Sequence, residues 1–147
     1  MNLPNWLANR WLVQHEPSRE EVEDLLAVVD RDLGDAAIES LSPDWRLGIA
    51  YNAALQLATL ALAAEGYRPA RDRPHERAIL SLRFTISTDA QVVDTIDAVR
   101  RKRNISNYER AGTTSASEAY EMYQIAMELR ERVLAWLQER HPELYGS

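Results

Sequence analysis

The sequence predicts an all-α protein, an up-and-down bundle of five or six helices. Three observations carry that expectation: apolar residues recurring at helical spacing, serine or threonine cap signals ahead of those repeats, and no stretch that alternates like a strand. At 147 residues the chain reads as one domain, 1–147, with residues 1–40 supplying N-terminal packing helices. A chain of that size buries roughly 70% of its unfolded surface, enough for a core without metal or crosslinks.

The first helix is expected from Leu3 to about Val13, with Leu3, Leu7 and Trp11 on one face and Trp6 beside them. Ser18 and Glu21 have capping-box spacing and open a second helix. Its inward set is Val22, Leu25, Leu26, Val29, Leu33, Ala36 and Ala37, with Glu20, Glu23, Asp24, Arg31 and Asp35 facing away. That acidic face lacks histidine and reads as solvated charge rather than a metal site.

Ser42 and Pro43 form the next start, serine as N-cap and proline at the first helical position. The helix runs to about Glu65, and Gly66 ends it. It is apolar nearly all round, which belongs at the centre of a bundle. Its one polar strip, Asn52, Gln56 and Thr59, reads as buried hydrogen-bonding groups or as the floor of a cleft.

Tyr67 to Pro74 is expected as an arginine-rich loop, since it holds two prolines and no periodicity. A short helix from about His75 buries Ile79, Leu82 and Ile86, and Thr88 with Gln91 repeats the capping-box pattern. The helix they open has the inward stripe Val92, Ile96 and Val99, and the next position on that stripe is Arg103. Burying a guanidinium without a partner is costly, so Arg103 implies a buried partner, a cleft or a subunit interface. Asn107 lies i+4 from Arg103, and Tyr108 i+4 from Asn104, so two polar rows run side by side. Ser115 and Glu118 cap the last helix, which runs to about Arg140 and buries Ala119, Met122, Ala126, Leu129, Val133 and Trp136.

Charge sharpens the picture. Between Tyr67 and Arg110 ten Lys or Arg face six Asp or Glu, a local +4 in a chain of net charge −6, so the remainder carries −10. Such a region steers anionic partners such as RNA, a nucleotide or an acidic protein, or is simply solvated. The absence of cysteine excludes disulfides and thiolate metal sites. The segment MNLPNWLANRWLVQ lacks the pattern of a signal peptide, and Asn52, Gln56 and Thr59 interrupt the longest apolar run. The expectation is a cytoplasmic protein with no membrane contact, no metal and no cofactor.

Two segments together carry a family resemblance. AYNAALQLATLALAAEGY resembles the central helix of HEPN domains, where a tyrosine-bearing start leads through small and apolar residues to a glycine. RRKRNISNYERAG, Arg100 to Gly112, resembles the HEPN signature, an arginine, a polar residue, and a histidine four to six residues after the arginine. The likeness spans Trp45 to Trp136, and helix order agrees with it. It implies an all-α HEPN-like bundle, usually a homodimer, with signature residues of two subunits meeting in a cleft. It also implies RNA or a nucleotide as ligand and a nucleotidyltransferase-like antitoxin as protein partner.

Arg103 matches the signature arginine and Asn104 the polar residue after it, while Tyr108 stands where the histidine would. The chain is thus closer to the branch with an Arg-Asn-x-x-x-Tyr pattern. An unperturbed tyrosine, with pKa near 10, is a poor proton acceptor at neutral pH. The first reading is therefore a binding or toxin–antitoxin-type partner module without ribonuclease activity, its site formed by Arg100, Arg103, Asn104, Asn107 and Tyr108. The second is a metal-independent endoribonuclease using Arg103 with Tyr108 or His75 as the proton-transfer group. The third is a helical adapter or oligomerisation domain with no small ligand.

Overall fold

A computed structural model describes residues 1–109 and 114–146, with the side chains of 104–109 outside that description. Among the described residues the chain forms an all-α bundle of six helices joined by one two-stranded ribbon. The helices are α1 (Leu3–Ala8), α2 (Arg19–Ala36), α3 (Pro43–Ala64), α4 (Pro74–Ser81), α5 (Ala90–Glu109) and α6 (Ala116–Arg140). The strands are β1 (Leu12–Gln14) and β2 (Tyr67–Pro69).

Capping chemistry sets the helix starts. Ser18 Oγ accepts from the Glu21 N–H at 3.1 Å, and Ser42 Oγ from the Trp45 N–H at 3.2 Å. Ser115 and Glu118 form a reciprocal capping box, satisfying two of the donors that a helix start leaves open. The box expected from Thr88 does not form. Asp89 Oδ1 instead accepts from the Gln91 N–H at 2.9 Å, and Thr88 is buried one residue earlier.

Helix α1 is shorter than its apolar spacing suggests. It stops at Ala8, and Arg10 takes a left-handed backbone with φ of 63° that turns the chain into β1. Leu12 and Val13, at the end of the expected first helix, form a strand with Gln14 that pairs antiparallel with residues 67–69, expected as loop: Leu12 opposite Pro69, Val13 opposite Arg68, Gln14 opposite Tyr67. Two further hydrogen bonds extend the ribbon, from His15 N–H to the Gly66 carbonyl and from Ala70 N–H to the Trp11 carbonyl. Gly66, at φ of 94°, makes the turn from α3 into β2.

The core is centred on α3, which packs against α2, α4, α5 and α6. Leu57, Leu60 and Leu62 are fully buried, each worth about 1.5–3 kcal/mol of apolar burial. By length and composition α3 is apolar enough to cross a membrane, yet 72% of its apolar stretch is buried in the bundle. A smaller apolar cluster joins Leu3, Trp6 and Leu12 to Leu62, with Trp11, Tyr67 and Phe84 packed on it. Trp6 meets Trp11 and Phe84 edge-on, with centroids 5.7 and 5.3 Å apart. This cluster sets the N-terminal segment against β2 and the end of α4.

Candidate functional site

The inward side of α5 is rotated from the expected stripe. Among its described side chains Val93, Ile96 and Asp97 are buried, while Val92 and Val99 are only partly covered. The row through Val93 and Asp97 continues to Arg100, whose side chain is 17% exposed. Arg103 lies on the adjacent row, half-buried.

Opposite them α3 presents Gly48 and Tyr51, both buried and one helical turn apart. The Arg103 guanidinium lies over the Tyr51 ring at 5.5 Å, close enough for a cation–π contact. A Cβ at Gly48 would stand 3.5 Å from Arg103 Nε, so the missing side chain leaves the guanidinium room against the α3 backbone.

The cations here are unequal. Arg100 Nε donates to Asp97 Oδ1 at 2.8 Å, and its Nη2 lies 3.9 Å from Glu76 Oε1 at the start of α4. Arg101 Nη1 donates to the other Asp97 oxygen at 3.1 Å. The hydrogen bond to Asp97 holds Arg100 above the ordinary guanidinium range, with the charges of Asp97 and Glu76 adding to it. Arg100 and Arg101 thus share Asp97, with Glu76 beside Arg100, and among the described residues no carboxylate comes within ion-pair distance of Arg103. Beyond the group, Lys102 Nζ donates to Glu118 at 2.6 Å, pulling that carboxyl below its usual range and tying α5 to the start of α6.

Tyr51 is the site residue that sequence reading passes over. It is 2% exposed, and its hydroxyl is buried with no hydrogen-bond partner among the described residues. Burial pushes the phenol up to about 12; Arg100 and Arg103 oppose that rise, and Asp97 adds to it. Such a phenol keeps its proton at neutral pH, so it serves as a donor and not as a base. The one available clue was a hydroxyl-bearing aromatic among the alanines of a helix that is apolar all round.

The other expected site residues are placed differently. Asn104, Asn107 and Tyr108 fall within α5, and their side chains lie outside the described residues. His75 is exposed in the first turn of α4, next to the Glu76 that reaches Arg100. The polar strip of α3 is half-buried. Asn52 Nδ2 donates to Asp32 Oδ2 at 2.6 Å, and Thr59 Oγ1 donates to the Leu55 carbonyl at 2.9 Å. Asp32, 5% exposed, occupies an inward position of α2, whereas Ala37, expected inward, is exposed. Asp32 also accepts from Arg31 at 3.1 Å, which makes this a structural polar bridge between α2 and α3. His15 lies against both Glu21 oxygens at 2.8 and 2.9 Å, and His141 is at the end of α6, 3.4 Å from Glu65. Among the described residues no cluster of three or more His, Asp or Glu side chains is arranged to hold a metal.

Comparison with family models, curated proteins and solved structures finds no match to this chain.

Proposed function

We propose that this chain is a HEPN-like, up-and-down helical module that binds RNA or a nucleotide through phosphate, at the meeting of α3 and α5, without cleaving it. The observation that carries the reading is Arg103, a half-buried guanidinium on Gly48 and Tyr51 with no carboxylate partner among the described residues. Holding such a cation away from water is costly, and a phosphate accepting its hydrogen bonds offsets that cost. Arg100 adds positive potential from behind while staying fixed to Asp97.

Binding is favoured over cleavage by the described groups packed on Arg103, a glycine and a tyrosine whose phenol is raised to about 12. Neither exchanges protons near neutral pH. The family resemblance adds a homodimer in which two such sites face each other, and a nucleotidyltransferase-like protein as second partner.

The reading is tested by fluorescence anisotropy of a short labelled single-stranded RNA, and by calorimetry with AMP, across a salt series. Affinity for the RNA is expected to fall as salt rises, and Arg103→Ala to weaken both ligands about ten- to a hundredfold. Binding that is absent, or unchanged in Arg103→Ala, would leave the chain as a helical adapter.

A further inference from the structure

Resting on that phosphate-binding reading, we propose that the Tyr51 hydroxyl is a second ligand of the bound phosphate and makes the site select a terminal phosphate monoester over an internal phosphodiester. The hydroxyl is the starting point. It is buried and has no acceptor among the described residues, in a place where a phenylalanine ring would fill the same space. Of its charged neighbours, Arg100 and Arg103 offer donors only, and Asp97, whose two oxygens accept from Arg100 and Arg101, makes no hydrogen bond to it. The acceptor that would complete this group is an anion arriving between Arg103 and Tyr51.

Depth then narrows the class of anion. The Tyr51 oxygen is shut off from solvent, and the Arg103 guanidinium covers the ring at 5.5 Å. Arg103 is held there by that contact and by packing on Gly48, with no ion pair to break among the described residues, so its side chain can move aside. A terminal phosphate can follow the displaced Arg103 side chain inward oxygen first, whereas an internal phosphodiester has a nucleotide on each side and stays at the surface. Charge points the same way, since a monoester carries close to two negative charges at pH 7 and a diester one. The phenol, raised to about 12, is protonated throughout this range and donates.

Two oligonucleotides of one sequence, one with a 5′-phosphate and one with a 5′-hydroxyl, test this beside AMP. The wild-type chain is expected to prefer the 5′-phosphorylated strand about tenfold or more, with AMP competing for it. That preference should shrink as pH falls below about 6, where the monoester loses its second charge. Tyr51→Phe should remove the preference while leaving the weaker binding of the 5′-hydroxyl strand in place. Equal binding of the two strands by the wild-type chain overturns the inference, as does a preference that survives in Tyr51→Phe. If Arg103→Ala weakens binding while Tyr51→Phe changes nothing, the phosphate site stands and the role of Tyr51 falls. If no strand and no AMP bind, both fall.

Discussion

Replacing Tyr51 by phenylalanine is expected to stabilise the free protein. Removing a buried hydroxyl that has no partner relieves its desolvation cost, about 1–3 kcal/mol. The ring, its packing on α5 and its contact with Arg103 all remain. Part of the gain is lost because the variant gives up the packing contacts of the hydroxyl oxygen in the core, so a net rise of about 1 kcal/mol is expected. In a chain of this length that is about 2–4 °C in Tm. A second consequence appears only in alkali. The phenol titrates near 10 in the unfolded chain and at about 12 in the folded one, so between those values the folded state holds the proton more tightly. Its contribution is fully present below pH 10 and is lost as pH rises through 12, a fall of roughly 2–3 kcal/mol. Urea titrations at pH 7 and at steps from pH 9.5 upward measure both effects. The difference in tyrosinate absorbance between wild type and Tyr51→Phe isolates this phenol from the other five tyrosines. A variant less stable at pH 7 would show that the hydroxyl is hydrogen-bonded in the fold, and one that keeps the wild-type alkaline decline would show that the decline belongs to other groups.

Three further substitutions probe the frame around the site. Asn52→Ala removes the 2.6 Å donor to the buried Asp32 carboxylate and should cost about 1.5–3 kcal/mol in urea unfolding; a loss below 0.5 kcal/mol would mean that Arg31 alone satisfies Asp32. Ser115→Ala breaks the capping box of α6 and should lower stability by about 1 kcal/mol, read as a shift in the thermal midpoint, with no shift if the cap is not formed. Gly48→Ala replaces a glycine inside α3 and should stabilise by about 0.5–1 kcal/mol, because its Cβ meets Arg103 Nε at an ordinary contact distance of 3.5 Å. Destabilisation there would show that the guanidinium is packed closer to the backbone.

The sequence showed the bundle more clearly than the ribbon, for physical reasons. Ser18, Ser42 and Ser115 announce their helices because a cap hydrogen bond is local and involves residues three apart. Leu12 to Gln14 and Tyr67 to Pro69 are too short to show alternation, and what makes them strands is each other. The early end of α1 escapes a periodic reading too, since Trp11 continues the helical spacing while the backbone has already turned at Arg10. At the site, Arg103 was legible as a charge in an apolar row, because a mismatch with periodicity is visible along one helix. Tyr51 and Asp32 were not. A tyrosine fits a core helix and an aspartate fits an acidic face, and only the neighbouring helix shows that one hydroxyl lacks a partner and one carboxylate is buried.

The pairing of β1 with β2 has a consequence for how the chain is made. Leu12 and Pro69 are 57 positions apart (69 minus 12), so at about 5–20 residues per second β1 is synthesised several seconds before its partner. Throughout that interval Trp6, Trp11 and Leu12 lack the surfaces of Leu62, Tyr67 and Phe84 that cover them in the finished protein. An apolar segment waiting that long is exposed to chaperones and to wrong partners. Pausing synthesis between α3 and β2 would lengthen the wait, and mature protein yield should fall with it.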